Sequence, residues 1–165
     1  MSGGLDLWDL FTGKAEGVGA RVVRAGSQVD AARLLADGTV VATASAKARF
    51  SEAVREAGPV QDGGALQVAA AGLFAVAETG SVALNEPRLD RGACFLADHL
   101  WLLVSASEIV PTLDVAMQRL RELVHNGAHH PLLMTGPSRT ADIERILTVG
   151  VHGPRELTLV VVDDA

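Results

Sequence analysis

Two apolar runs of strand length, Leu100 to Ser105 and Glu156 to Val162, most constrain what this chain can fold into. They are dominated by Val and Leu and belong to a set of such runs bounded by Gly and Pro. A strand apolar on both sides must be covered on both sides, the condition of a parallel sheet enclosed by helices. The segments upstream agree. Arg21 to Arg24 reads as a strand, and Ser27 as an N-cap with Asp30 three residues on. The helix it opens carries Val29, Ala32, Leu34 and Leu35 and stops at Gly38. Thr39 to Ala42 is a second strand. Ser45 then caps a helix burying Ala46, Phe50, Ala53, Val54 and Ala57, which Gly58-Pro59 ends. Right-handed crossovers place these strands parallel in one sheet. The predicted class is α/β, with a three-layer α/β/α Rossmann-like sheet.

Further along, Leu66 to Ala71 is a third strand and Gly72 to Thr79 a short helical turn closed by Gly80. Ser81 to Leu84 is another strand, and after the loop NEPRLDRG, Ala93 to Asp98 is a helical turn. Thr112 caps a helix with Leu113, Ala116, Met117, Leu120, Leu123 and Val124 on one face, ended by Asn126-Gly127. Leu5 to Phe11 is a short helix. The 165 residues suffice for one core and no linker divides them, so residues 1–165 read as a single domain with 1–19 a short N-terminal extension.

Composition excludes several classes. The only cysteine is Cys94, so the chain closes no internal disulfide and cannot alone supply the thiolates of a structural zinc or an iron–sulfur cluster. Its flanks, Ala93 and Phe95, make it a small core residue. The net charge of −6 is spread without a basic block, and there is no Tyr to build a stacking platform, so nucleic acid is not an expected partner. No segment reaches the ~18 apolar residues of a membrane span, and no leader precedes the first strand, so a soluble cytoplasmic protein is expected. His125, His129 and His130 lack chelating spacing with carboxylates, and no metal site is expected.

Function is sought between the last two strands, Pro131 to Thr135 and Glu156 to Val162, whose connection of about twenty residues holds at most a short helix around Ala141 to Leu147. Thr135-Gly136-Pro137-Ser138-Arg139-Thr140 offers backbone N–H groups, three hydroxyls and a guanidinium to an anion. The same residues also serve plain helix capping, with Ser138 or Thr140 as the cap and Asp142 and Glu144 in the first turn. There is no Gly-Lys-Ser/Thr, hence no nucleotide loop of that type. Gly150-Val151-His152-Gly153-Pro154-Arg155 sets His152 between glycines, where it can be an acid, a base or a structural donor. Glu78 follows Leu73, Phe74, Val76 and Ala77 and precedes Thr79-Gly80. That setting predicts a partly desolvated carboxylate, either a poised base or a brace for the two polar loops.

The residues TGPSRTADIE (Thr135 to Glu144), GVHGPREL (Gly150 to Leu157) and AETGSVAL (Ala77 to Leu84) resemble the lactate-utilisation protein C family, LutC or YkgG, of the LUD-domain group. The resemblance extends through FLADHLWLLV (Phe95 to Val104) and the Thr112 helix. It implies a fold similar to the NagB/RpiA/CoA transferase-like fold. It also implies a part in oxidising L-lactate to pyruvate, with iron–sulfur clusters on LutA-like and LutB-like partner proteins and none on this chain. It favours ligand contact over capping for Ser138, Arg139 and Thr140, and marks Thr79, Gly80, Thr135, Gly136, Asp142, Gly153 and Arg155 as ligand-binding positions. Glu78 and His152 are the catalytic candidates, Glu78 by fold-level analogy with the CoA transferases. The competing reading is a stand-alone enzyme or metabolite-binding module for a small anion such as a sugar phosphate, CoA ester or folate derivative.

Overall fold

The computed structural model describes residues 6–36, 39–58, 66–138 and 153–165. In chain order the elements are α1 (Leu7–Gly17), β1 (Arg21–Ala25), α2 (Gln28–Leu35), β2 (Val40–Ala42), α3 (Ala44–Arg49), β3 (Gln67–Ala71), β4 (Ala75–Val76), β5 (Ser81–Leu84), α4 (Arg88–Leu96), β6 (His99–Ser105), a 3₁₀ turn (Ala106–Glu108), β7 (Ile109–Val110), α5 (Leu113–His125), β8 (Leu132–Met134) and β9 (Glu156–Val162). Among the described residues, five strands form an all-parallel sheet in the order β1-β9-β6-β3-β2, with the two long apolar runs, β6 and β9, at its centre. The class is α/β, as expected.

Side-chain alternation along β6 decides what covers the sheet. Leu100, Leu102 and Val104 join Val68, Ala70, Leu157, Leu159 and Val161 on one face, packed against Phe11 and Ala15 of α1 and Cys94 of α4. Leu103 joins Ala69, Ala71, Val160 and Val162 on the other, beneath Ala31 and Leu35 of α2, Ala46 of α3, and Phe50, Ala53 and Val54 just beyond it. A second, mixed sheet in the order β7-β4-β5-β8 lies on the α1 side. Its Ala75, Val82, Leu84 and Met134 join the α1 cluster, while Val76, Ala83 and Val110 pack on Ala116 of α5.

Several local expectations are corrected. Gly72 to Thr79 contains strand β4, antiparallel to β5 and parallel to β7, where a helical turn is predicted. Phe74 to Ala77 are all buried, and a run buried on every side carries no periodicity to distinguish strand from helix. Helix α3 is capped by Thr43, whose Oγ1 accepts the Ala46 N–H at 3.3 Å, not by Ser45. Helix α4 starts at Arg88, inside the segment that reads as a loop, because its first turn is solvent-facing and only Cys94 is buried. The apolar face of α5 is split: Ala116, Leu120 and Leu123 meet the small sheet, whereas Leu113, Met117 and Val124 remain exposed. The N-terminal helix is longer than expected and seats Phe11 and Ala15 fully in the core. Gly38, Pro59 and the predicted turn Ala141 to Leu147 lie outside the described residues.

Candidate functional site

The two strands flanking the polar segment belong to different sheets. Strand β8 is the edge of the small sheet beside β5, and β9 is inserted between β1 and β6 in the parallel sheet. The residues leaving β8 and entering β9 therefore bridge the sheets. Ser138 N–H donates to the Pro154 carbonyl at 2.8 Å, and a Cβ on Gly153 would stand 3.2 Å from that of Ser138.

The turn before β5 joins the same rim. Gly80 N–H bonds Val76 O at 2.9 Å to close the turn, and Gly80 adopts φ +69° against the end of α1. A Cβ there would meet Ala15 N at 2.3 Å, so only glycine fits. Gly136, at φ +70°, approaches the Val18 carbonyl just past α1 in the same way, with 2.5 Å left for a Cβ. Helix α1 is thus the common wall of both loops, a role hidden in the sequence because its contacts are to backbone.

Hydroxyls link the loops. Thr79 Oγ1 donates to Ser81 Oγ at 2.8 Å, and Ser81 Oγ shares a 2.6 Å hydrogen bond with Thr135 Oγ1. Ser81 is buried and Thr135 exposed. Either hydroxyl can donate in that bond; with Ser81 as the donor, the exposed Thr135 hydroxyl has its proton left for a carboxylate or phosphate oxygen. Ser81 escaped the sequence reading because it sits inside a strand.

Glu78 lies beside this rim but turns away from it. Its side chain is exposed, without the desolvation predicted from its apolar neighbours, and Oε2 accepts the Leu113 N–H at 2.7 Å. It thereby caps α5 together with Thr112 Oγ1, which accepts from Val115 N–H at 3.3 Å. Neither polar loop is its partner among the described contacts. The Arg155 guanidinium, largely exposed, faces Asp98 Oδ1 at 3.8 Å at the amino end of β9. Arg139, Thr140, Asp142 and His152 lie outside the described residues.

A second polar cluster, at the carboxyl ends of β2 and β3, has no counterpart in the sequence reading. Glu86 is 5% exposed, and its Oε1 accepts from Thr43 Oγ1 at 3.0 Å and from the Ser45 hydroxyl, while Oε2 is buried without a partner. Asp90 accepts the Ala44 N–H at 2.9 Å beside it. Burial pushes the Glu86 carboxyl above its usual range, with the Asp90 charge adding to the rise and the Ser45 and Thr43 hydroxyls opposing it. Burial, then the charges of Glu86 and Asp90, pushes the Cys94 thiol up to about 12. A thiol held protonated at neutral pH is a packing group and a poor nucleophile or ligand. The signal available in sequence was Glu86 itself, a carboxylate between an apolar strand and Pro87. Among the described residues, no three His, Cys, Asp or Glu side chains converge as metal ligands. None of the described helices is long and apolar enough to cross a membrane.

Comparison with known proteins centres on the segment that builds the rim. A family model described as the LUD domain matches residues 69–162. Lactate utilization protein C of Macrococcus caseolyticus is 39% identical over 93 residues, 54% of this chain and 40% of that protein. Its namesake from Bacillus subtilis is 37% identical over 93 residues, 54% of this chain and 39% of that protein. The matched stretch thus spans about two fifths of the length of these curated relatives. A crystal structure of a DUF162 family protein from Deinococcus radiodurans superposes with a TM-score of 0.66 at 22% identity, covering 94% of this chain and 96% of that one, which is a likeness of fold. Because the matched model runs from within the third parallel strand through the last, more than half of the sequence, the chain belongs to the LUD-domain family.

Proposed function

We propose that this chain serves lactate utilisation as a LutC-like component of an iron–sulfur system that oxidises L-lactate to pyruvate. In this reading it works in the cytoplasm with LutA-like and LutB-like proteins, which carry the clusters. The observation that supports it is that the segment matched by the LUD-domain model, residues 69–162, contains Thr79, Ser81, Thr135 and Ser138, which gather at one rim. Its exposed Thr135 hydroxyl and glycine-lined loops suit the carboxylate of a small acid, and in sequence Arg139 and His152 belong to the same segment. The single buried thiol leaves electron transfer to the partners. Glu78 serves the site by fixing α5 and the Thr79-Gly80 turn.

Deletion of the gene should abolish growth on L-lactate as sole carbon source while sparing growth on pyruvate, and the intact chain should restore it. Affinity purification from lactate-grown cells should recover iron-containing partners. Normal growth of the deletion strain on lactate contradicts the proposal. Turnover of a sugar phosphate or CoA ester by the purified chain alone would support the stand-alone enzyme instead.

A further inference from the structure

The face of the parallel sheet beneath α2 and α3 changes character halfway along its strands. Towards the carboxyl ends it is Ala25, Ala69, Ala71, Leu103, Val160 and Val162, all buried under the two helices. Towards the amino ends, the same face carries Arg21, Thr158, Trp101, His99 and Gln67, side by side on four adjacent strands. A sheet face meant only to pack against a helix would stay apolar. Between these residues and the end of α2 lies a hollow of about 310 Å³, lined by Arg21, Val23, Arg33, Leu35, Gln67 and Trp101 among others. That volume is at the lower end for small-molecule sites.

The lining is prepared for a particular chemistry. Trp101 Nε1 donates to Gln67 Oε1 at 3.1 Å, so the indole has its polar edge satisfied within the protein and presents its flat apolar surface. His99 stacks on the same indole with ring centroids 4.3 Å apart and is itself held by Thr158 Oγ1 at 2.8 Å. The platform is therefore rigid. Burial keeps the His99 imidazole below its usual range, against the raising effect of Glu156 and with the help of Arg21. Arg33 is paired with Asp30 at 3.0 Å, but Arg21 has no carboxylate partner among the described residues. Among the described residues, no carboxylate lines the hollow.

We propose that this hollow binds a small aromatic anion, its ring lying against Trp101 and its carboxylate or phosphate paired with Arg21. It opens on the sheet face opposite the Thr79–Thr135 rim and stands or falls independently of the lactate reading. The test uses the full chain carrying Trp8→Phe, which leaves Trp101 as the only indole. Benzoate is the probe and benzamide its uncharged counterpart, with Trp101 fluorescence and backbone amide shifts as readouts. Expected are saturable quenching by benzoate, about tenfold weaker binding of benzamide or of benzoate to the Arg21→Gln form, and amide shifts confined to residues 21–23, 33–35, 67 and 101. Quenching that never saturates, equal binding of benzamide, an Arg21→Gln form that binds as before, or shifts centred elsewhere would each overturn the proposal. Should Arg21→Gln fail to fold, the benzoate–benzamide comparison and the shift map decide.

Discussion

Gly80 and Gly127 share a left-handed backbone, at φ +69° and +99°, yet they carry different burdens. A Cβ on Gly127 meets nothing within 4 Å, while one on Gly80 runs into the backbone of Ala15 and Lys14. Gly127→Ala should therefore cost only the dihedral penalty of about 1 kcal/mol, and Gly80→Ala roughly 3 kcal/mol or more, since α1 has to move. Urea unfolding of the two variants checks this, and equal losses would contradict the role of α1 as the wall of the rim. Glu86 makes a pH-dependent contribution. Its folded pKa lies above the ordinary value of 4.5, so the stability it confers is complete below that value and lost as pH rises through the folded pKa. The melting temperature of Glu86→Gln minus that of the parent should thus become more positive between pH 4.5 and pH 8. The change should be about 2–4 °C for each kcal/mol removed. A difference that is flat with pH would mean that Glu86 is as well solvated folded as unfolded.

Helix α5 shows how an element can be read correctly and its environment missed. Its Thr112 cap, its length and its Asn126-Gly127 stop were all legible, because capping is local chemistry. Which face it buries was not legible, since that is set by the small sheet, whose strands in the middle of the chain are too short and too uniformly apolar to announce themselves. The second cap, Glu78, comes from 35 residues away and leaves no local signal. Thr112→Ala should cost about 1 kcal/mol. Glu78→Gln should cost less, roughly 0.5 kcal/mol, through the weaker interaction of a neutral side chain with the helix N-terminus. Thermal melts give the ranking, and growth on L-lactate gives the role. Near-normal growth of the Glu78→Gln strain is expected of a cap, whereas loss of growth with unchanged stability would assign Glu78 to the chemistry.

At the scale of the molecule, the apolar runs foretold the parallel sheet because a strand buried on both faces has few other homes. They did not foretell that the polar segment leaves one sheet and enters another, which is a matter of long-range pairing. That passage brings the turn at Thr79-Gly80 beside Thr135 and, with Ser138 seated on Gly153 and Pro154, forms the rim. The Glu86 cluster and the Trp101 hollow were illegible for the same reason, as each assembles residues from elements far apart in the sequence. The most direct measurement of the central claim is an amide-resolved NMR titration of the intact chain with L-lactate and pyruvate. Saturable shifts concentrated at residues 79–81, 135–138 and 153–155 are expected. No saturable shifts with either acid, or shifts that spare these three segments, would contradict it.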